Sequence, residues 1–120
     1  MPVDRSVIIP EVSEQALGEI ARIGQLRAPN EACGLLLMTP HRGRLVVELP
    51  NRSLTPQDSY QFHGTDAKLE LEGYDDGVIV WHTHPGGGIG PSRNDMRTRH
   101  PEFWYLVVAL TDKGPLPTFF

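Results

Sequence analysis

The segment His82-Thr83-His84-Pro85, six further residues, and Ser92-Arg93-Asn94-Asp95 brings two imidazoles and a carboxylate together at one defined spacing. Val78-Ile79-Val80-Trp81 runs into the first histidine as a buried strand does, and side chains two apart on a strand point the same way. His82 and His84 can therefore grip one ion. Pro85 cannot donate to a ladder, so the strand is expected to stop there and residues 86–91, rich in glycine, to form a loop. Asp95 then returns on the first turn of the next helix. Zinc accepts imidazole nitrogen and carboxylate oxygen, and a catalytic site uses three protein ligands and leaves a fourth position for water. Two neutral histidines and one aspartate leave about one net positive charge on such a site, which lowers the pKa of water there towards neutrality. A general base is still needed. The candidate is Glu31, in Pro29-Asn30-Glu31-Ala32-Cys33-Gly34-Leu35-Leu36, directly ahead of an apolar strand-like run.

Each piece has a plainer reading. Ser92-x-x-Asp95 is also a capping arrangement, with Ser92 as N-cap and an acid favoured by the helix dipole, and capping is compatible with metal binding. Glu31 taken alone is a solvated loop acid, since carboxylates are mostly exposed. Cys33, between Ala32 and Gly34, reads as a small buried hydrophobe ahead of a nucleophile. Among other zinc hydrolases with His-x-His, the metallo-β-lactamase type needs Asp-His soon after the second histidine, whereas Pro85-Gly86-Gly87 follows here. The amidohydrolase type needs a barrel of about 250 residues, and this chain has 120.

Glu31 before Cys-Gly-Leu-Leu, then His-Thr-His-Pro, six residues and Ser-x-x-Asp, resembles the JAMM (MPN+) metallopeptidases. The resemblance covers most of the chain, from the first helix to the strand at residues 103–110. It implies an α/β fold, a single JAMM/MPN-like domain over residues 1–120 with a mixed β-sheet flanked by helices, cytidine-deaminase-like in architecture. It implies one zinc per chain, held by His82, His84 and Asp95, with Glu31 as general base and Ser92 donating to the oxyanion. The expected reaction is hydrolysis of a peptide or isopeptide bond in a protein or peptide substrate. Candidate substrates are the Gly-Gly tail of a ubiquitin-like or sulfur-carrier protein, or a peptide met in a phage tail tip. The chain has little room for the insertions with which ubiquitin-cleaving members grip substrate, so it is more similar to the compact bacterial or phage type. The rival from another class is a non-catalytic MPN-type scaffold with a structural zinc, which needs a fourth protein ligand such as Cys33.

Composition bounds the rest. A length of 120 residues gives one core, and 39% hydrophobic residues with mixed charges are those of a globular protein. No apolar run approaches the ~20 residues of a membrane span. Residues 1–5 lack the apolar stretch of a signal peptide, so the expected location is the cytoplasm, or a phage particle if phage-encoded. The one cysteine excludes an internal disulfide and agrees with a reducing compartment. A net charge of -4 without a basic cluster gives no reason to expect nucleic acid.

The elements that position the site follow from periodicity. Residues 6–9 predict a short opening strand, with Pro10 acceptable as the first residue of a helix. Over residues 11–27, Val12, Ala16, Ile20, Ile23 and Leu26 form one apolar stripe, and Gly24 costs some helix propensity and lets the helix end before Pro29. Residues 34–38 and 44–49 predict a hairpin across a turn at 39–43, residues 60–62 a short strand, and residues 65–71 a helix. Residues 77–84 are the central strand, 94–100 a short helix capped by Ser92, 103–110 a strand covered on both faces, and 115–120 an edge strand. An exposed C-terminal edge could be completed by another copy or a partner, and an edge beside the metal could take an extended substrate tail, with the glycine loop adapting around it. His41, His63 and His100 lack ligand spacing and read as surface residues. Trp81 and Trp104 read as core, with Trp81 on the face away from the histidines.

Overall fold

Ser13 opens the first helix, its hydroxyl accepting from the Ala16 N–H and satisfying a donor the helix leaves orphaned. That helix, α1 (Glu14–Arg27), buries Ala16, Ile20, Ala21, Ile23 and Gly24. The computed structural model describes residues 12–38, 44–63, 78–101 and 103–120. The expected strand at 6–9, Pro10, the turn at 39–43 with His41, and the helix at 65–71 lie outside the described residues.

The helix ends at Arg27, before Pro29, as expected, and Gly24 sits within it. A Cβ at Gly24 would sit 2.8 Å from Thr83 Cγ2 and 3.0 Å from Leu110 Cδ1, so glycine here allows the helix to lie close against the sheet. Leu26 is 68% exposed, because it falls about 200° around the helix axis from Gly24.

Among the described residues the sheet has five strands in the order β2-β1-β3-β4-β5, with β1 (Cys33–Met38), β2 (Arg44–Leu49), β3 (Val78–His84), β4 (Trp104–Thr111) and β5 (Gly114–Phe119). β1 and β2 form the expected antiparallel pair, in register Cys33 with Leu49. β1 also pairs antiparallel with β3, β3 pairs parallel with β4, and β4 pairs antiparallel with β5. The parallel pair is joined through a second helix, α2 (Arg93–Thr98). This is an α/β domain with a mixed sheet flanked by helices. Among the described residues its edges are β2 and β5, so β3 with its two histidines is central and neither edge lies directly beside it, against the expectation of an edge next to the zinc site.

Period-two alternation sorts the core into two faces. Leu36, Ile79, Trp81, Leu106 and Val108 pack beneath α1. Leu35, Leu37, Val78, Val80, Tyr105 and Val107 face the other way, joined by Phe120. Trp81 is fully buried with its indole N–H donating to Leu35 O at 3.1 Å. Its placement puts the alternate residues His82 and His84 on the face away from α1. Gly34 is required beneath this pairing, since a Cβ there would collide with Val47 O and the Trp81 ring. Trp104, expected in the core, is only half-buried at the start of β4. Residues 60–62 form no strand. Arg52 N–H donates to Gln61 O and Gln61 N–H to Asn51 Oδ1, so this backbone closes on its own loop in place of a ladder.

Candidate metal centre

His82 and His84 leave the last turn of β3 on one face, and the loop that follows ends where Ser92 caps α2. Ser92 Oγ accepts from the Asp95 N–H at 3.0 Å, while Ser92 N–H donates to Asp95 Oδ2 at 2.8 Å. This reciprocal cap holds the Asp95 carboxylate against the histidines. His82 Nε2 and His84 Nε2 lie 3.2 Å apart, and Asp95 Oδ2 lies 3.1 Å from the first and 3.2 Å from the second. A tetrahedral ion with bonds of about 2.0–2.1 Å keeps its ligand atoms about 3.3 Å apart. The three donor atoms thus converge at close to the edge length of a metal tetrahedron.

Glu31 stands beside them. Its Oε2 is 3.9 Å from His84 Nε2, and one ligand atom from each of Glu31, His82 and His84 lies within 4.8 Å of the others, so these residues could hold a metal ion. Two overlapping sets result, one with Glu31 and one with Asp95. The Asp95 distances of 3.1 and 3.2 Å are shorter than the 3.9 Å from Glu31 Oε2 to His84 Nε2. Its Oε1 is buried without a protein partner among the described residues.

The peptide of Glu31 is clamped on both sides. Its N–H donates to Pro56 O at 2.7 Å and its carbonyl accepts from Asn51 Nδ2 at 2.9 Å. The next residue is tied to the metal strand in turn, Ala32 N–H donating to Thr83 Oγ1 at 2.9 Å and Thr83 N–H to Ala32 O at 2.9 Å. Carboxyl burial pushes the Glu31 pKa up to about 7, with His84 opposing and the Asp95 and Asp58 charges adding to the rise. For Asp95, burial opposes ionisation, yet hydrogen bonds from His82, His84 and the Ser92 backbone hold it well below the usual carboxylate range. Burial lowers His82 from its ordinary value, against the pull of Asp95. His84 is raised, first by its bond to Asp95, with burial opposing and Gly88 O assisting.

Of the residues the sequence singles out, His82, His84 and Asp95 come together at 3.1–3.2 Å with Glu31 3.9 Å from His84, and Ser92 adjoins them through its cap on Asp95. Cys33 is fully buried and pairs with His82 across β1 and β3; its thiol donates to Leu49 O at 3.6 Å, and burial pushes its pKa up to about 12, which disfavours a nucleophilic thiolate. His63 and His100 are exposed, as expected. Sequence reasoning passed over Asn51, Tyr60 and Thr83. Asn51 had a local signal, an asparagine just after a strand and before a polar run, where its side chain bonds neighbouring backbone. Tyr60 stacks on the His82 ring at 4.4 Å between centroids and 22° between planes, a contact no sequence period announces.

Against known proteins, the family model for prokaryotic homologs of the JAB domain matches residues 13–119. The chain belongs to this JAB/MPN family, as the motif resemblance implied. Among solved structures, it is similar to a protein from Salinibacter ruber (strain DSM 13855) determined in solution, at a TM-score of 0.55 and 22% identity over 92% of this chain and 80% of that one. This likeness supports the fold. No curated protein matches.

Proposed function

We propose that the chain is a zinc-dependent hydrolase of peptide or isopeptide bonds, with His82, His84 and Asp95 as ligands, one zinc per chain. The observation that carries this reading is the convergence of three donor atoms at 3.1–3.2 Å with a buried, clamped carboxylate 3.9 Å from the nearest imidazole. The donor set of two imidazoles and one carboxylate suits zinc, and its three-ligand count is that of a catalytic site. Zinc bound there would supply Lewis acidity towards a scissile carbonyl and towards water.

In this reading Glu31, 3.9 Å from His84 Nε2, takes a proton from the attacking water and returns it to the leaving amine nitrogen. A carboxyl raised to about 7 suits both directions of that transfer near neutral pH. The Ser92 hydroxyl accepts the Asp95 N–H through its oxygen, which leaves its own O–H free to donate to a developing oxyanion. A groove of about 510 Å³ lined by Pro29, Gln57, Asp58, Pro85 and Gly86 offers an extended chain a surface next to the segments that carry Glu31 and His84. A Gly-Gly tail, having no side chains, fits such a passage.

The test is zinc content by mass spectrometry on wild type, Glu31→Gln and His84→Ala, with hydrolysis of Gly-Gly-linked conjugates measured beside it. The expected result is about one zinc in wild type and Glu31→Gln and none in His84→Ala, with Glu31→Gln slower by about 10²–10⁴-fold. A wild type that takes up no zinc would favour a metal-free, non-catalytic scaffold, and zinc that is lost with Cys33→Ala would favour the scaffold with a structural zinc.

A further inference from the structure

The two histidines are oriented by different means. His84 Nδ1 lies 3.0 Å from Gly88 O, so a backbone hydrogen bond fixes its ring and directs Nε2 inward. His82 Nδ1 is buried and has no hydrogen-bond partner among the described residues. A metal-bound imidazole ordinarily donates its second N–H to a carboxylate, carbonyl or water, which sets its tautomer and tilt. Something else must hold the ring of His82.

Aromatic packing does so. The Tyr60 ring lies nearly parallel to His82, 4.4 Å away, and Phe120 meets it edge-on at 6.2 Å and 87°. Rotation of the imidazole about its χ2 angle would drive it into the phenol face. Tyr60 is itself held, because Asn51 fixes the residue on either side of it. Asn51 Nδ2 donates to Ser59 O at 3.0 Å, and Asn51 Oδ1 accepts from Gln61 N–H at 3.2 Å. Nδ2 also donates to Glu31 O, so one amide sets both the stacking tyrosine and the acid beside the ligands. The electron-rich phenol face further suits an imidazole that becomes more positive on binding a cation.

We infer that Tyr60 is a positioning residue for His82, substituting a ring stack for the hydrogen bond that orients the other histidine. This inference rests on the metal-centre reading above, and its test does not depend on finding the substrate. Zinc affinity is measured by chelator competition, and visible absorption is recorded on the cobalt(II)-loaded protein, for wild type, Tyr60→Phe, Tyr60→Met and the neighbouring Phe62→Leu. Tyr60→Phe keeps the ring face and is expected to match wild type in affinity and in band positions, as is Phe62→Leu. Tyr60→Met fills the space without a flat wall and is expected to bind zinc about 10–100-fold more weakly, with displaced cobalt bands reporting a tilted ligand. A folded Tyr60→Met with wild-type affinity and bands would overturn the inference. So would loss of its cooperative thermal transition in metal-free protein, since Tyr60 would then serve the fold. Failure of wild type to take up zinc would sink the metal-centre reading and this inference together, whereas zinc uptake without hydrolysis would unseat the peptidase reading alone.

Discussion

Asn51 carries more of the site than its side chain's size suggests. Its amide donates to the carbonyls of Glu31 and Ser59, and its oxygen accepts from the Ser53 and Gln61 N–H groups. Both N–H donors and both lone pairs are therefore used on backbone. Asn51→Ala leaves those partly buried groups unpaired, and at about 0.5–1.5 kcal/mol for each of the four net bonds the expected loss is about 2–6 kcal/mol. Urea unfolding measures it, and a loss below half a kcal/mol would mean that water replaces the amide freely. Asn51→Asp should do no better, since a carboxylate oxygen would face the carbonyls that the NH₂ group served. The ligating types and the cap were legible as sequence because each sits at a fixed offset, two residues on a strand or three at a helix start. Asn51 and Tyr60 were not, because they reach the site through a loop whose path depends on tertiary hydrogen bonds.

At the scale of elements, α1 offers a paired test of what its glycines do. Gly18 is exposed with nothing within 4 Å of a built Cβ, whereas Gly24 meets Thr83 and Leu110 at 2.8 and 3.0 Å. Gly18→Ala should stabilise by about 0.5–1 kcal/mol through helix propensity alone. At Gly24 the same gain is offset by about 1–3 kcal/mol of overpacking. Gly24→Ala should therefore destabilise, and thermal unfolding of the two variants should move in opposite directions. Because Thr83 Oγ1 holds the Ala32 N–H, the displaced threonine also disturbs the segment that carries Glu31. Propensity marks Gly24 as a weak point of the helix, and close helix–sheet contact explains why glycine stands there. The five strands were legible from their apolar runs, but their order was not, since periodicity gives faces and leaves neighbours unspecified. At the β5 edge, Tyr105 and Phe120 exchange both backbone hydrogen bonds. By alternation, Pro115 and Pro117 then occupy outward-facing positions and present no N–H. That edge is poorly suited to adding a further strand.

For the molecule as a whole, the residues that meet at the candidate centre come from the segment before β1, from β3 and from α2, so an ion there ties the middle of the sheet to two of its covers. A ligand bound only by the folded state stabilises it by about 2.7 kcal/mol at a hundredfold excess over its dissociation constant. Zinc should accordingly raise the unfolding temperature, and a chelator should reverse the rise. The size of that rise depends on pH with a definite sign. His84 is raised above its ordinary 6.5 by its bond to Asp95, so the metal-free fold keeps a proton there that the unfolded chain releases. The stabilisation from that proton is complete below 6.5 and is lost as pH rises through the higher folded value. Metal needs the imidazole neutral and must displace the same proton. The zinc-induced shift in unfolding temperature should thus be small on the acid side of 6.5 and grow as pH rises past it. Calorimetric scans with zinc and with chelator across that range would measure it, and a shift that stayed constant, or shrank as pH rose, would place the metal away from His84.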